Sequence, residues 1–217
     1  MRFTRTQKIE TALAPKRALV IYGPRRVGKT TILKGYLSTQ KDKPTMYVVG
    51  DDFRIRELFE KELRDELLDF ARPYDIIAID EAQQVPSIGL GAKMIIDAFP
   101  EKQLILTGSS SFDLSAKIGE PLTGRHFTMT MLPLAQSEMC SSRFELKVAL
   151  NSFLIYGSYP EVLSVETKEE KERILNELVS SYLYKDILAL DKIKSPDLLR
   201  DIARAIAFQI GNEVSLN

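Results

Sequence analysis

Four short apolar runs punctuate the first half of the chain: Ala18–Tyr22, Thr45–Val49, Asp75–Asp80 and Leu104–Thr107. Most are nearly unbroken runs of Val, Ile, Leu or Ala rather than alternations, the pattern of parallel strands covered on both faces. Between them the period changes. Ile32, Leu33, Tyr36 and Leu37 recur at helical spacing. From Phe53 to Ala71 a second stripe carries Ile55, Leu58, Phe59, Leu63 and Leu67 with charges opposite, and Pro73 ends it. Ile88 to Phe99 also reads as a helix, although Gly89 and Gly91 interrupt its start. Strands alternating with helices predict an α/β domain with a parallel sheet and right-handed crossovers.

Further along, Phe127, Met129 and Met131 alternate with Thr128 and Thr130, which predicts a fifth strand with one buried and one wetter face. Beyond Pro133 the pattern is helical. Arg143–Ile155 and Glu170–Leu190 are predicted helices, the latter with Leu175, Leu178, Val179, Tyr182 and Leu183 on one face. Tyr156-Gly-Ser-Tyr-Pro160 makes the turn between them. A last helix opens at Ser195-Pro196, a good cap and first-turn pair, and closes at Gly211, with Ile202, Ile206 and Ile210 along its buried side. Residues 1–17 are polar and basic, a short helix or strap ahead of the first strand.

Composition narrows the classes. Lys+Arg and Asp+Glu are both 30 in 217 residues, so no global field draws the chain to nucleic acid or a membrane, and only a local basic patch remains open. The single cysteine, Cys140, excludes an internal disulfide framework and reads as a small packing residue. His126, the only histidine, cannot build a multi-histidine metal site and is expected to hydrogen-bond structurally. With no apolar run of membrane length and no signal-peptide core at the start, a soluble cytoplasmic protein is expected.

The chemistry sits where the first strand meets its helix. Gly23-Pro24-Arg25-Arg26-Val27-Gly28-Lys29-Thr30, followed by Thr31, is the G-x-x-x-x-G-K-[ST] phosphate-binding pattern in its strand–loop–helix setting. The glycines let the backbone turn its N–H groups into one concavity at a helix N-terminus, which favours anions. Lys29 adds a positive charge for the β- and γ-phosphates, and the Thr30 hydroxyl is placed to ligate Mg²⁺. Arg25 and Arg26 either reach the triphosphate or serve as loop-surface charge. The third strand delivers Asp80-Glu81 at its C-terminal end: Asp80 to hold Mg²⁺ through water, Glu81 as general base on the attacking water. An acidic strand end capping the next helix is the plainer alternative. After the fourth strand, Thr107 or Ser109, with Ser109 slightly preferred, is placed to touch the γ-phosphate or its water. Arg125 has the guanidinium chemistry of an arginine finger, or forms an ion pair fixing its loop. Asp51-Asp52 reads as a solvated loop or helix cap.

The ordered motifs G-P-R-R-V-G-K-T-T, I-I-A-I-D-E-A-Q, L-I-L-T-G-S-S, L-T-G-R-H-F with P-L-A-Q-S-E, and G-S-Y-P-E-V-L resemble the predicted archaeal and bacterial AAA+ superfamily ATPases. In that family a P-loop domain is followed by helices, a winged helix and a nuclease-like C-terminal domain of unknown function. The resemblance implies sheet order 5-1-4-3-2 and ATP as the nucleotide. It implies a P-loop ATPase domain over 1–136, a helical lid over 137–190, and the start of a winged helix over 191–217 that ends before its recognition helix, as in a truncated chain. The expected function is Mg²⁺-dependent ATP binding and hydrolysis coupled to conformational change. The rival expectation is a slow nucleotide-gated switch that binds DNA or protein through its C-terminal region. Relatives of this kind commonly place their site at a protomer boundary, so a homo-oligomer with Arg125 acting between subunits is a further expectation.

Overall fold

Residue pairing settles how the strands are laid side by side. The computed structural model describes residues 3–108, 118–180 and 196–209. It divides into two compact units, residues 1–164 and 165–217. In the first, β1 (Ala18–Tyr22), β2 (Thr45–Val49), β3 (Ile76–Asp80), β4 (Gln103–Gly108) and β5 (His126–Thr130) form one sheet of order β2-β3-β4-β1-β5. Every pair is parallel, with Leu19 opposite both Ile105 and Phe127, and Val49 opposite Asp80. This is the expected 5-1-4-3-2 order read from the other edge.

Both faces are covered, which explains why the central strands are apolar at successive positions. Val20, Ile77, Ile79, Leu104 and Leu106 point into a core shared with α3 (Phe53–Glu60), α4 (Arg64–Ala71) and α5 (Ile88–Ala98). Leu19, Ile21, Ile76, Ala78 and Ile105 point the other way, onto α1 (Ile9–Ala12) and α2 (Lys29–Thr39). Each Val, Leu or Ile among them contributes about 1.5–3 kcal/mol by leaving water.

The stripe from Phe53 to Ala71 is two helices rather than one. The chain breaks at Glu62, whose φ of 51° is left-handed and which accepts a hydrogen bond from the Ser87 hydroxyl at 2.6 Å. Leu63, expected on the buried stripe, is instead 49% exposed at the start of α4. The break sets Phe59 and Leu67 against one spot on α5, where only Gly91 fits. A Cβ there would lie 2.5 Å from the Phe59 ring. Asp52 caps α3, accepting from Arg54 N at 2.9 Å.

β5 alternates only partly as expected. Met129 and Met131 are buried, but Phe127 is 44% exposed and covered on one face by the Arg17 guanidinium, 4.6 Å from the ring centroid. Among the described residues β5 is an edge strand of the sheet. After it come α6 (Gln136–Met139), α7 (Arg143–Tyr156) and α8 (Pro160–Ser164). Phe144, Val148, Leu154 and Ile155 of α7 are exposed.

In the second unit the described helices are α9 (Lys168–Leu178) and α10 (Pro196–Phe208). The predicted continuation of α9 to Leu190 lies outside the described residues from 181 on. Ile202 and Ile206, expected on a buried side, are exposed, while Ala203 and Ala207 of the same helix line an open cavity with Asn176 and Val179 at the end of α9. Ile210 and Gly211 lie outside the described residues.

Candidate functional site

The parallel order delivers the C-terminal ends of β1, β3 and β4 to one edge of the sheet, the place where open α/β sheets hold ligands. From β1 the chain enters the glycine-rich loop. Gly28 has φ 99° and ψ 21°, a left-handed turn that a β-carbon would strain, and it starts α2 by accepting from Ile32 N at 3.0 Å. Gly23 is required for a different reason: a Cβ there would lie 2.0 Å from the Met131 carbonyl oxygen. Lys29 is buried, and its Nζ donates to the Gly23 and Pro24 carbonyls at 2.8 Å each.

Asp80 ends β3 and is 3% exposed. Three hydroxyls donate to its carboxylate: Thr30 to Oδ2 at 2.7 Å, Tyr47 to the same oxygen at 3.0 Å, and Thr107 to Oδ1. Thr107, fully buried at the end of β4, also accepts from Glu81 N at 3.3 Å. Burial and the neighbouring Asp80 charge push the Tyr47 phenol well above its ordinary pKa, so it remains a proton donor. Glu81 follows in a left-handed conformation, φ 53° and ψ 42°, and the Gln83 side-chain amide donates to its carboxylate. Non-glycine residues seldom adopt this conformation, and such outliers concentrate at functional sites.

Thr30 and Asp80 are hard oxygen donors in contact, a donor set that suits Mg²⁺. That ion takes few protein ligands beside phosphate and water. A cavity of about 960 Å³ adjoins the loop. Its walls include Val27, Gly28, Thr31 and Tyr36 on one side, and Phe3 and Lys8 of the N-terminal strap on another. Arg26, left-handed at φ 63°, pairs with Glu161 of α8 at 3.0 Å.

Of two further predicted residues, one lies outside the described residues and the other away from this cluster. Ser109 lies outside the described residues, whereas Thr107, the less favoured of that pair, joins Asp80 and Glu81. Arg125 lies at the opposite edge of the sheet. Because β5 runs parallel to β1, the residue before it sits beside Ala18, whose N–H donates to the Arg125 carbonyl at 2.9 Å. Its guanidinium pairs with Asp97 at 2.8 Å. His126 Nδ1 meets the Leu122 carbonyl at 2.9 Å.

Other residues emerge only in three dimensions. Tyr47 reads in sequence as one more apolar strand position. Arg5 of the strap donates to the carbonyls of Val27 in the loop and Leu132 after β5, and pairs with Glu138 at 2.9 Å. Glu138 also accepts from Thr6 N at 2.7 Å and Ala135 N at 2.9 Å. Burial alone would raise its pKa, but these donors together hold it below the ordinary glutamate value. The only sequence signal for this junction was the P-L-A-Q-S-E motif itself.

A five-stranded parallel sheet of this order, with a glycine-rich loop between its β1 and the following helix, is the fold of a P-loop ATPase. The family model of the AAA domain matches residues 15–140, and the chain belongs to that family. A domain of unknown function (DUF8612) matches residues 148–217. The chain is 27% identical to the uncharacterized protein MJ1544 of Methanocaldococcus jannaschii, covering 96% of this chain and 50% of that protein. It is 24% identical to the uncharacterized protein Rv2008c of Mycobacterium tuberculosis, covering 84% of this chain and 39% of that protein. The chain thus spans half or less of the length of these relatives. Among solved structures, the Walker-type ATPase PABY2304 of Pyrococcus abyssi shares the fold, with TM-score 0.52 and 18% identity, covering 86% of this chain and 72% of that one. No helix among the described residues is long and apolar enough to cross a membrane.

Proposed function

We propose that this chain binds ATP with Mg²⁺ at the edge where β1, β3 and β4 end, hydrolyses it, and uses the cycle to move its helical part. The observation that carries the reading is the contact of Thr30 with Asp80, 2.7 Å apart beside the glycine-rich loop. It joins a hydroxyl at the start of α2 to a carboxylate from a non-adjacent strand, in the arrangement a nucleotide-bound cation requires. Bound there, Mg²⁺ would neutralise charge on the β- and γ-phosphates.

The protein's own groups supply the rest. Backbone N–H groups of residues 25–28 and the N-terminus of α2 donate to phosphate oxygens. The Lys29 ammonium exchanges the Gly23 and Pro24 carbonyls for the more strongly accepting phosphates. Glu81 takes a proton from water, and Thr107 ties its backbone to Asp80. The cavity between the strap and α2, of a size that suits a small organic ligand, receives the nucleoside. Residues 1–136 form the ATPase domain, residues 137–190 its lid, and residues 191–217 begin a winged helix. The Arg26–Glu161 pair gives the phosphate loop a direct link to α8, a route by which the nucleotide state reaches the first lid helices. Arg125 serves a neighbouring protomer, since its own site lies across the sheet. The cellular location in this reading is the cytoplasm.

Phosphate release from ATP and GTP, with Mg²⁺ and with EDTA, tests the proposal. Release from ATP that requires Mg²⁺, and is lost in Lys29→Ala, is the expected result. Nucleotide binding unaffected by Lys29→Ala overturns it.

A further inference from the structure

The carboxylate that the proposed function assigns to Mg²⁺ is held by a tyrosine from the outermost strand, a residue no motif points to. We propose that Tyr47 is a positioning residue for the cation site, acting through Asp80 and touching neither nucleotide nor metal itself. The inference rests on the reading of Thr30 and Asp80 given above.

The geometry is specific. Tyr47 is on β2 and its register partner is Ala78, two residues before Asp80 on β3. Its side chain therefore reaches along the neighbouring strand to the strand's end, and its hydroxyl donates to Asp80 Oδ2, the oxygen that also accepts from Thr30. Thr107 holds Oδ1. An ionised carboxylate has about four acceptor directions. Three are taken by these hydroxyls, so the carboxylate is fixed in rotation and keeps one direction for a further donor, such as a cation's water. Without the phenol, Oδ2 regains a lone pair and only Thr30 and Thr107 restrain the group.

A half-buried phenol favours a partner for its own sake, so the contact alone does not separate a positioning role from simple satisfaction. The substitution Tyr47→Phe does separate them. The ring packs against the α2-side core, and the Lys34 ammonium lies 5.1 Å from its centroid. Phenylalanine keeps both features and removes only the hydroxyl. Loss of an outer partner of a metal ligand typically weakens metal affinity by roughly 10–100-fold, and with two restraints remaining the lower end is expected, about tenfold.

The experiment titrates a fluorescent ATP analogue into the parent protein, Tyr47→Phe, Asp80→Ala and the double variant, in EDTA and over a range of Mg²⁺ concentrations, with melting curves for each. In EDTA, Tyr47→Phe is expected to bind the analogue as the parent does. The Mg²⁺ concentration giving half of the metal-dependent gain in affinity is expected to rise about tenfold. In the Asp80→Ala background the same substitution is expected to add nothing, since its route to the metal is gone. An unchanged Mg²⁺ response in Tyr47→Phe, or an equal further loss in the Asp80→Ala background, overturns the assignment while leaving the nucleotide site standing. A parent protein that binds no analogue, or binds it with no gain from Mg²⁺, overturns the functional reading and this inference with it.

Discussion

Replacing Glu138 by alanine perturbs the junction that fastens the N-terminal strap to the phosphate loop. The Glu138 side chain is 3% exposed and that of Arg5 11%, so the pair is screened little by solvent or salt. Removing one partner of a buried pair costs about 3–5 kcal/mol, most of it from the charge left behind. Here Arg5 keeps the Val27 and Leu132 carbonyls, which favours the lower end, about 3 kcal/mol. For a chain of this size each kcal/mol lowers the melting temperature by about 2–4 °C, so a fall of roughly 6–12 °C is expected. Glu138→Gln should fall between. One amide oxygen replaces two carboxylate oxygens, and the amide nitrogen faces donors on one side or the other. The pH dependence has a definite sign. A carboxyl held below its unfolded value stabilises the fold above that value, about pH 4.3, and loses the contribution as pH falls through the depressed folded value. Parent and Glu138→Gln melting temperatures should therefore converge in acid. Melting followed by circular dichroism from pH 3 to 8 reads both effects. A Glu138→Ala protein that melts within a degree of the parent at pH 7 refutes the argument, and so does a parent–variant gap that widens in acid.

Glu81→Gln should bind ATP normally and lose roughly 10²–10⁴ in turnover, the worth of a positioned base; parental phosphate release from the purified variant would remove Glu81 from that role. Gly91→Ala should destabilise by about 1–3 kcal/mol in urea titrations, because its methyl group would meet the buried Phe59 ring at 2.5 Å. A neutral result would show that the α3–α5 packing yields easily. For Arg125, mixtures of Arg125→Ala and Lys29→Ala protomers should recover ATPase activity that neither has alone, an arginine finger in trans being worth about 10³–10⁵. No recovery, with turnover per protomer independent of concentration, leaves Arg125 as the Asp97 partner only.

What could be read beforehand follows the range of the forces involved. β1, β3 and β4 were plain because a strand buried on both faces must be apolar throughout, and Ala18–Tyr22 and Ile76–Asp80 are buried at every position. The glycine-rich loop was plain because its geometry is set within eight residues. The break at Glu62 was not, since periodicity continues across it and only the Ser87 hydroxyl and the Phe59–Gly91 contact select two helices. Tyr47 was missed because its role depends on register with β3, and Arg5 with Glu138 because they are joined only after β5 is in place. Strand order itself came from resemblance to a family. Once parallel pairing is accepted, Arg125 falls on the far edge without further information.

The placement of β1 has a bearing on how the protein comes into being. β1 hydrogen-bonds to β4 and β5, both far later in the chain, with Leu19 beside Ile105 and Phe127. A growing chain therefore makes its phosphate loop well before the strand that frames it, and cannot complete that frame until the strand ending at Gly108 has emerged. Closing so long a segment is slow compared with forming α3 or α4. Through that interval an apolar strand, Ala18–Tyr22, waits without neighbours, a hazard for aggregation. Once the sheet has closed, any ligand of the loop binds only the finished arrangement and draws the population towards it by mass action. Under the proposed function, ATP would then also act as a chaperone for its own receptor.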